Sequence, residues 1–423
     1  MTPRMNARDD EHLILFPPKR GEALARLEAF VPNAGRRYAD ARNRDPGPGL
    51  RDNVSMLSPY IRHRVLTEQE VLAAVLRQHS PQVAEKFIQE VFWRTYWKGW
   101  LQMRPQVWQA FLRERDADRE LLERSPGRRA ALACAEEGRT GIDGFDDWAR
   151  ELVQTGYLHN HARMWFASIW IFTLRLPWSL GADFFLRHLL DADPASNTLG
   201  WRWVAGIQTP GKTYLAQPDN IEKFTGGRYR PKGLASQAQP IRREAPPHPS
   251  PLRPAAALPS RRPAILLLHG DDFAAHELVP PGTDVRAIVV AANGHPDHPW
   301  PFGRRASRFV ASLAADTANR LTRDGKTKVH IIDVLQADAL RRHCGHNQVR
   351  TIVTTEAPVG PLADGLQRLT RELAGEGIDV VTLRRRWDDL AWPHATHGFF
   401  RFRRQIPELI SYNGLGTPEP LSE

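Results

Sequence analysis

Residues 155–206 read TGYLHNHARMWFASIWIFTLRLPWSLGADFFLRHLLDADPASNTLGWRWVAG, and their reading decides the fold. Trp165, Trp170, Trp178, Trp201 and Trp203 stand around a His-Asn-His-Ala-Arg run at 159–163 and around the pair Asp191 and Asp193. An apolar core needs the indoles but not the polar residues. Buried Asn, Arg and Asp cost free energy unless they meet partners. A flat aromatic ligand with a polar edge would supply those partners.

Working outward, 423 residues are long for one core, so two domains are expected. A hydrophobic content of 41% with 25% charged residues is that of an ordinary globular protein. The net charge of +10 points to a polyanion, most simply nucleic acid, although an even scatter of arginine would give the same balance. Cys134 and Cys344 are the only cysteines. They exclude a disulfide framework and a four-thiolate iron–sulfur cluster, and fit a reducing cytosol. The opening MTPRMNARDDEHLILFPPKR lacks the pattern of a signal peptide, and FASIWIFTLRLPW is broken by Arg175 and Pro177. A cytoplasmic monomer without a membrane partner is expected.

Composition divides the chain. Ten of the 13 tryptophans lie between Trp93 and Trp203, within a helical pattern from about 20 to 230. Residues 237–262 hold seven prolines and no apolar period, the mark of an extended, semi-rigid linker. Beyond it AILLLHG, VRAIVVAA, KVHIIDV, RTIVTTE and IDVVTLR are short β-branched runs, with helical candidates at 304–323, 337–343 and 362–376. That alternation predicts a parallel sheet with helices on both faces. No G-x-G-x-x-G follows the first run, so a dinucleotide site there has no support. The expected fold is an all-α domain over 1–236, a linker over 237–262, an α/β domain over 263–390 and a basic, aromatic tail over 391–423.

The spacing of TGYLHNHARM, Trp178, LLDAD and NTLGWRW resembles the flavin-binding core of the photolyase/cryptochrome family. The resemblance implies FAD, active as FADH⁻, in the helical domain and an antenna-like α/β domain whose chromophore is not assigned. Family members usually carry the α/β domain first. The reversed order resembles a circularly permuted, topologically distinct group.

Carried over residue by residue, the resemblance places Tyr38, Ser55, Leu57 and Ser58 along the flavin diphosphate. Val54 and Met56 depart from the usual Thr and Arg of that loop. A helix start rich in hydroxyls does bind phosphate, and it is equally a plain serine cap. Asn160, Arg163, Asp191 and Asp193 fall at the ring: Arg163 pairs with Asp191, and Asp193 accepts from the polar edge. Read without the family, Asp193 is a helix cap and Arg163 a surface ion. Thr173 stands where an Asp normally supports the arginine. Asn197 falls against flavin N5, where an amide favours repair over sensing.

For the substrate, the resemblance puts Glu90 in hydrogen bonds to the damaged pyrimidines and Trp93 in a stack against them. They lie three apart, on one helical face. Trp93, Trp97 and Trp100 also repeat as a core face does, and core is expected for the last two. Asn160, Met164 and Trp203 line the same pocket, and His161 replaces a phosphate-contacting arginine. Trp201 and Trp178 match the inner members of an electron relay whose outer place aligns near Ala135. Trp148, Trp165 and Trp170 could substitute or be core.

The function implied is photochemical repair of cyclobutane pyrimidine dimers, with UV-damaged and preferentially single-stranded DNA as partner. Glu90, Asn160, Trp201 and Trp178 are its catalytic candidates. A cryptochrome-like blue-light receptor without repair activity is the alternative, and a flavin-free nucleic-acid module a third. The tail's mixture of arginines and aromatics suits a single-stranded groove or a basic edge packed on the helical domain. The histidines show no metal spacing, and no metal is expected.

Overall fold

Helices carry the chain from Arg20 to Thr225, and their boundaries follow local chemistry. Thr67 and Glu70 form a reciprocal capping box ahead of Glu68–Leu76. Proline opens Pro105–Glu123, Pro126–Glu136, Pro194–Val204 and Pro218–Thr225, where a missing N–H costs nothing. Gly156, at φ 72°, ends Phe145–Thr155 in the left-handed region. A Cβ there would sit 2.6 Å from Leu190 Cγ, so turn and packing both require glycine. The helix Asn160–Ser168 runs into a π-helical turn, Ile169–Thr173, closed by the Leu174 N–H on Ile169 O at 2.9 Å. Such turns recur where a helix must widen beside a site.

This computed structural model describes residues 15–256, 262–293, 303–325 and 327–415. The start of the expected helical domain (1–14, with most of the N-terminal stretch read above), part of the expected linker (257–261) and the end of the expected tail (416–423) lie outside the described residues.

The five β-branched runs form β1 (Ala264–Leu268), β2 (Val285–Asn293), β3 (Lys328–Val334), β4 (Thr351–Thr355) and β5 (Asp379–Leu383). Their order is β3-β2-β1-β4-β5, and every pair is parallel. Alternation splits β1 between two cores. Ile265 and Leu267 face one apolar cluster, with Leu340, Leu369 and Leu373. Leu266 and Leu268 face the other, which runs on unbroken into the helical domain. The helices Arg304–Arg323, Ala337–His346 and Pro361–Ala374 cover the sheet as the sequence predicts.

Two segments are more firmly held than their composition suggests. The proline-rich stretch is extended but strapped down: the Ile241 N–H donates to Ala205 O at 3.1 Å, the Ser250 N–H to Met103 O at 2.8 Å, and Arg104 Nε to Pro247 O at 2.9 Å. The tail forms the helices Arg386–Ala391, Phe399–Phe402 and Ile406–Tyr412, and returns onto the Glu85–Gln102 helix. There Trp387 stacks on Phe92 at 4.8 Å, and Trp392 fills the space that a side chain at Gly99 would need.

Candidate functional site

Three segments meet around Asp191. The bend at 189–192 brings Asp191 beside Arg163, whose Nη1 and Nη2 donate to the two carboxylate oxygens at 3.1 and 2.9 Å. Arg163 Nε also donates to Leu158 O at 3.0 Å, and the guanidinium lies 5.5 Å from the centre of the Tyr157 ring. Such a fork-to-fork pair fixes orientation as well as charge. Burial alone would raise the Asp191 pKa, but Arg163 and the Ser58 hydroxyl outweigh it and hold the carboxyl below its ordinary value. Arg163 is thus tied inside the protein rather than projecting as a surface ion.

Asp193 has two jobs for two oxygens. Oδ1 accepts from the Ala195 and Ser196 N–H groups at 2.9 and 3.4 Å and caps Pro194–Val204, as a bare sequence reading expects. Oδ2 is buried and has no hydrogen-bond partner among the described residues. Arg94 Nη1 stands 3.8 Å off. Against the burial that would raise it, Lys98, Arg94 and Arg62 keep the Asp193 pKa low, so the orphan oxygen is charged. Leaving it unpaired costs about 1–3 kcal/mol, which a ligand N–H would recover.

Asn197, one turn on, donates from Nδ2 to Ala182 O at 2.9 Å. With the amide nitrogen committed, Oδ1 is the atom left to accept. Ser196 Oγ beside it is also buried without a partner among the described residues. A charged carboxylate oxygen, a fixed amide carbonyl and a guanidinium–carboxylate pair form the donor and acceptor set that a flavin ring edge requires.

The expected diphosphate loop is partly spoken for. Ser55 Oγ accepts from the Leu57 N–H at 3.4 Å, Met56 holds φ 50°, and Leu57 is fully buried. Ser58 O accepts from Arg94 Nη2 at 3.5 Å. Tyr38 is buried edge-on against Phe30 and Phe87. Burial first, then the neighbouring Glu90 charge, pushes its phenol well up.

Glu90 combines two properties. It is open to solvent, yet enough protein surrounds it that desolvation raises its carboxyl pKa, against the pull of Arg42 and Lys86. Trp93, one turn on, gives one ring face to Phe399, with centroids 3.6 Å apart and planes 13° off parallel. Asn160 is exposed at the first turn of its helix and Met164 half-buried. Trp203 is 37% exposed and stacks on Tyr214 at 5.8 Å. His161 lies flat on Trp165 at 4.3 Å, with Nδ1 3.0 Å from Asn43 O. Burial lowers its pKa, so the ring is neutral at pH 7.

Trp201 is buried against Trp170 and Phe185, and its Nε1 has no partner among the described residues. It packs onto bare backbone at Gly181, where a Cβ would fall 2.3 Å from the indole. Trp178 is buried on the neighbouring helix and donates its N–H to Glu114 Oε1 at 2.9 Å. Trp148, Trp165 and Trp170 are all buried, and Ala135 is too.

Sequence reasoning missed Arg62, Arg94 and Lys98, the cations that charge Asp193. Arg94 and Lys98 lie four apart on one helical face, which was legible. Their carboxylate is some hundred residues further on, which was not. Among the described residues no group of three or more His, Cys, Asp or Glu could hold a metal, and no helix is long and apolar enough to cross a membrane.

Comparison with known proteins bears on the same region. Residues 87–225 match the family described as the FAD binding domain of DNA photolyase. A deoxyribodipyrimidine photo-lyase of Thermus thermophilus is 32% identical over 251 residues, covering 57% of this chain and 54% of that protein. That of Escherichia coli K12 is 28% identical over 205 residues, covering 47% and 42%. The chain spans about half the length of the curated relatives it matches. A crystal structure of a bacterial class III photolyase from Agrobacterium tumefaciens is 27% identical with a TM-score of 0.42, covering 53% of this chain and 46% of that one. The family match falls on the helices that carry Glu90, Arg163 and Asn197 and on the bend that carries Asp191, so residues 87–225 are a FAD-binding domain of the photolyase/cryptochrome family.

Proposed function

We propose that the chain repairs cyclobutane pyrimidine dimers in DNA with light, using reduced FAD and preferring single strands. The observation that carries this reading is Glu90, a desolvated but accessible carboxyl one helical turn from a half-buried tryptophan. When bound, reduced FAD supplies the photoexcited electron that opens the two ring bonds and takes it back afterwards. The protein's share is to hold and orient. Asp193 Oδ2 and Asn197 Oδ1 accept from the ring edge, and the Arg163–Asp191 pair fixes a charge beside it. Tyr38, Ser55, Leu57 and Ser58 line the diphosphate side.

On the substrate side a damaged pair has to leave the stack, which costs a few kcal/mol and least in a single strand. Glu90 keeps its proton to higher pH than an ordinary glutamate and can donate to a pyrimidine carbonyl as charge develops there. Asn160 offers an amide, Met164 and Trp203 apolar surface, and Trp93 the ring face that Phe399 leaves free. His161 contributes a packed neutral ring rather than a cation. Trp201 and Trp178 carry electrons toward the flavin site, with Glu114 holding the Trp178 N–H. The order of domains supports a permuted member of the family.

A blue-light receptor without repair activity is the second reading. The Phe399 ring on Trp93 favours it, because one stacking face is already used. Illumination of reduced protein with dimer-containing single- and double-stranded oligonucleotides, beside a dark control, separates the two. Thymine recovery is expected in the light. Glu90→Ala should abolish most of it while flavin stays bound; equal repair by both proteins, or none by wild type, overturns the proposal.

A further inference from the structure

The helix Phe399–Phe402 divides its four residues sharply. Phe399 and Phe402 are buried, the first on Trp93 and Tyr96, the second on Tyr96 and Phe92. The segment before it is pinned to the same helix: the Tyr96 hydroxyl donates to His397 O at 2.7 Å, and Arg104 Nη2 to Thr396 O at 2.7 Å. Its position on the Glu90–Trp93 face is therefore fixed by several independent contacts.

Phe400 points the other way. At 76% it is the most exposed large apolar side chain among the described residues. One exposed aromatic is ordinary on its own. Its neighbours are what set it apart. Arg401, Arg403 and Arg404 are all exposed, and none forms an ion pair among the described residues. The nearby Arg384 and Arg385 are by contrast locked to Glu356 and Asp272. Arg403 lies over the Phe400 ring at 5.7 Å, and Arg401 Nη1 is 3.2 Å from His397 Nε2. A ring face flanked by three guanidinia without a carboxylate partner among the described residues, one of them stacked on it, matches a base with its adjoining phosphates. An acidic protein surface would use the cations but leave the ring in water.

We infer that Phe400, Arg401, Arg403 and Arg404 form a docking edge for single-stranded DNA beside the dimer pocket. Phe400 stacks on an unpaired base flanking the damaged pair, and the guanidinia take consecutive phosphates. This rests on the proposed repair reading only for the identity of the strand. The edge itself is built from the tail, which packs on the Glu85–Gln102 helix through Phe399 and Phe402 and leaves Phe400 exposed.

The test uses the full chain and an undamaged, fluorescein-labelled oligothymidine, so that it does not depend on repair. Fluorescence anisotropy is followed across a salt series. Replacing Arg401, Arg403 and Arg404 together by alanine should lower the slope of log K against log salt by about 2, since each phosphate on a single strand contributes about 0.7. Phe400→Ala should weaken binding roughly tenfold at one salt concentration with the slope unchanged, and Phe400→Trp should restore it. All the substituted side chains are exposed, so melting temperatures should stay at the wild-type value. A triple variant with the wild-type slope, or a Phe400→Ala protein that binds as tightly as wild type, overturns the inference. Failure of light-driven repair alongside these losses would instead overturn the repair reading and leave the edge standing.

Discussion

The surroundings of Asp193 in the helical domain and the carboxyl ends of β1 and β4 both hold buried polar groups, and they treat them differently. In a parallel sheet of order β3-β2-β1-β4-β5, the crevice between β1 and β4 is where a ligand would usually sit. Here the helical domain has filled it. Arg62 pairs with Asp271 at 2.5 Å, Arg64 and Arg385 share Asp272, and Glu356 accepts from Gln102 and Arg384. His269 is buried with Nε2 3.0 Å from Thr355 O, and His63 reaches Gly270 O from the other domain. In the helical domain, Asp193 Oδ2, Ser196 Oγ and Trp201 Nε1 are buried without partners among the described residues. Charges that pair with one another make a joint, even with Arg64 Nε and Asp388 Oδ1 left without hydrogen bonds, and acceptors held open make a receptacle.

If that contrast holds, damage to the joint should cost far more folding energy than damage to the receptacle. Asp272→Ala removes the main partner of the buried Arg385 and one of the partners of Arg64, which keeps Asp388, and should destabilise the protein by about 3–5 kcal/mol in urea unfolding. A loss under about 1 kcal/mol would mean the crevice is wetter than described. Acid should act next. His63 and His159 are both buried, with pKa lowered by desolvation to about 4 from 6.5. The unfolded chain takes up their protons first, so their contribution is complete above pH 6.5. It is lost as pH falls toward about 4, at about 1 kcal/mol per pH unit for each histidine. Asp272, held at about 2 despite burial by Arg385 and Arg64, should add its loss only below the ordinary carboxylate range. Denaturation curves from about pH 7 to about pH 2 would show both steps. His63→Gln and His159→Gln should each flatten the first.

Smaller effects sharpen the other side. Gly181→Ala drives a methyl into the Trp201 ring and should cost about 1–3 kcal/mol, while shifting Trp201 fluorescence. Asp193→Asn keeps the helix cap but removes the charged acceptor. It should weaken FAD binding by roughly tenfold in a fluorescence titration, with a smaller stability change than Asp272→Ala. Equal losses of stability in the two variants would erase the distinction between joint and receptacle.

How much of this was legible in the chain depends on reach. The strands were, because AILLL and TIVTT are buried on both faces and carry no competing period. Asp191, Arg163 and Asn197 were found because the family pattern spaces them closely. The pairing of Arg64 with Asp388 spans 324 residues, and no local pattern announces it. Phe399 on Trp93 was hidden for the same reason: the tail was visible as basic and aromatic, but not which helix it would meet. The proline-rich stretch reads as extended from its composition, while its hydrogen bonds to Ala205 and Met103 depend on a surface that exists only after folding.

The joint also sets an order of events during synthesis. Arg62 and Arg64 leave the ribosome some two hundred residues before Asp271 and Asp272 are made, and Arg64 more than three hundred before Asp388. Until those acids arrive, Glu68 and Asp193 are the buried acids of the helical half that face Arg62, Arg64 and Lys98. The joint itself closes only once the helix Arg386–Ala391 is made, so a ribosome halted before it releases a product in which Arg64 lacks Asp388 and Asp272 lacks Arg385.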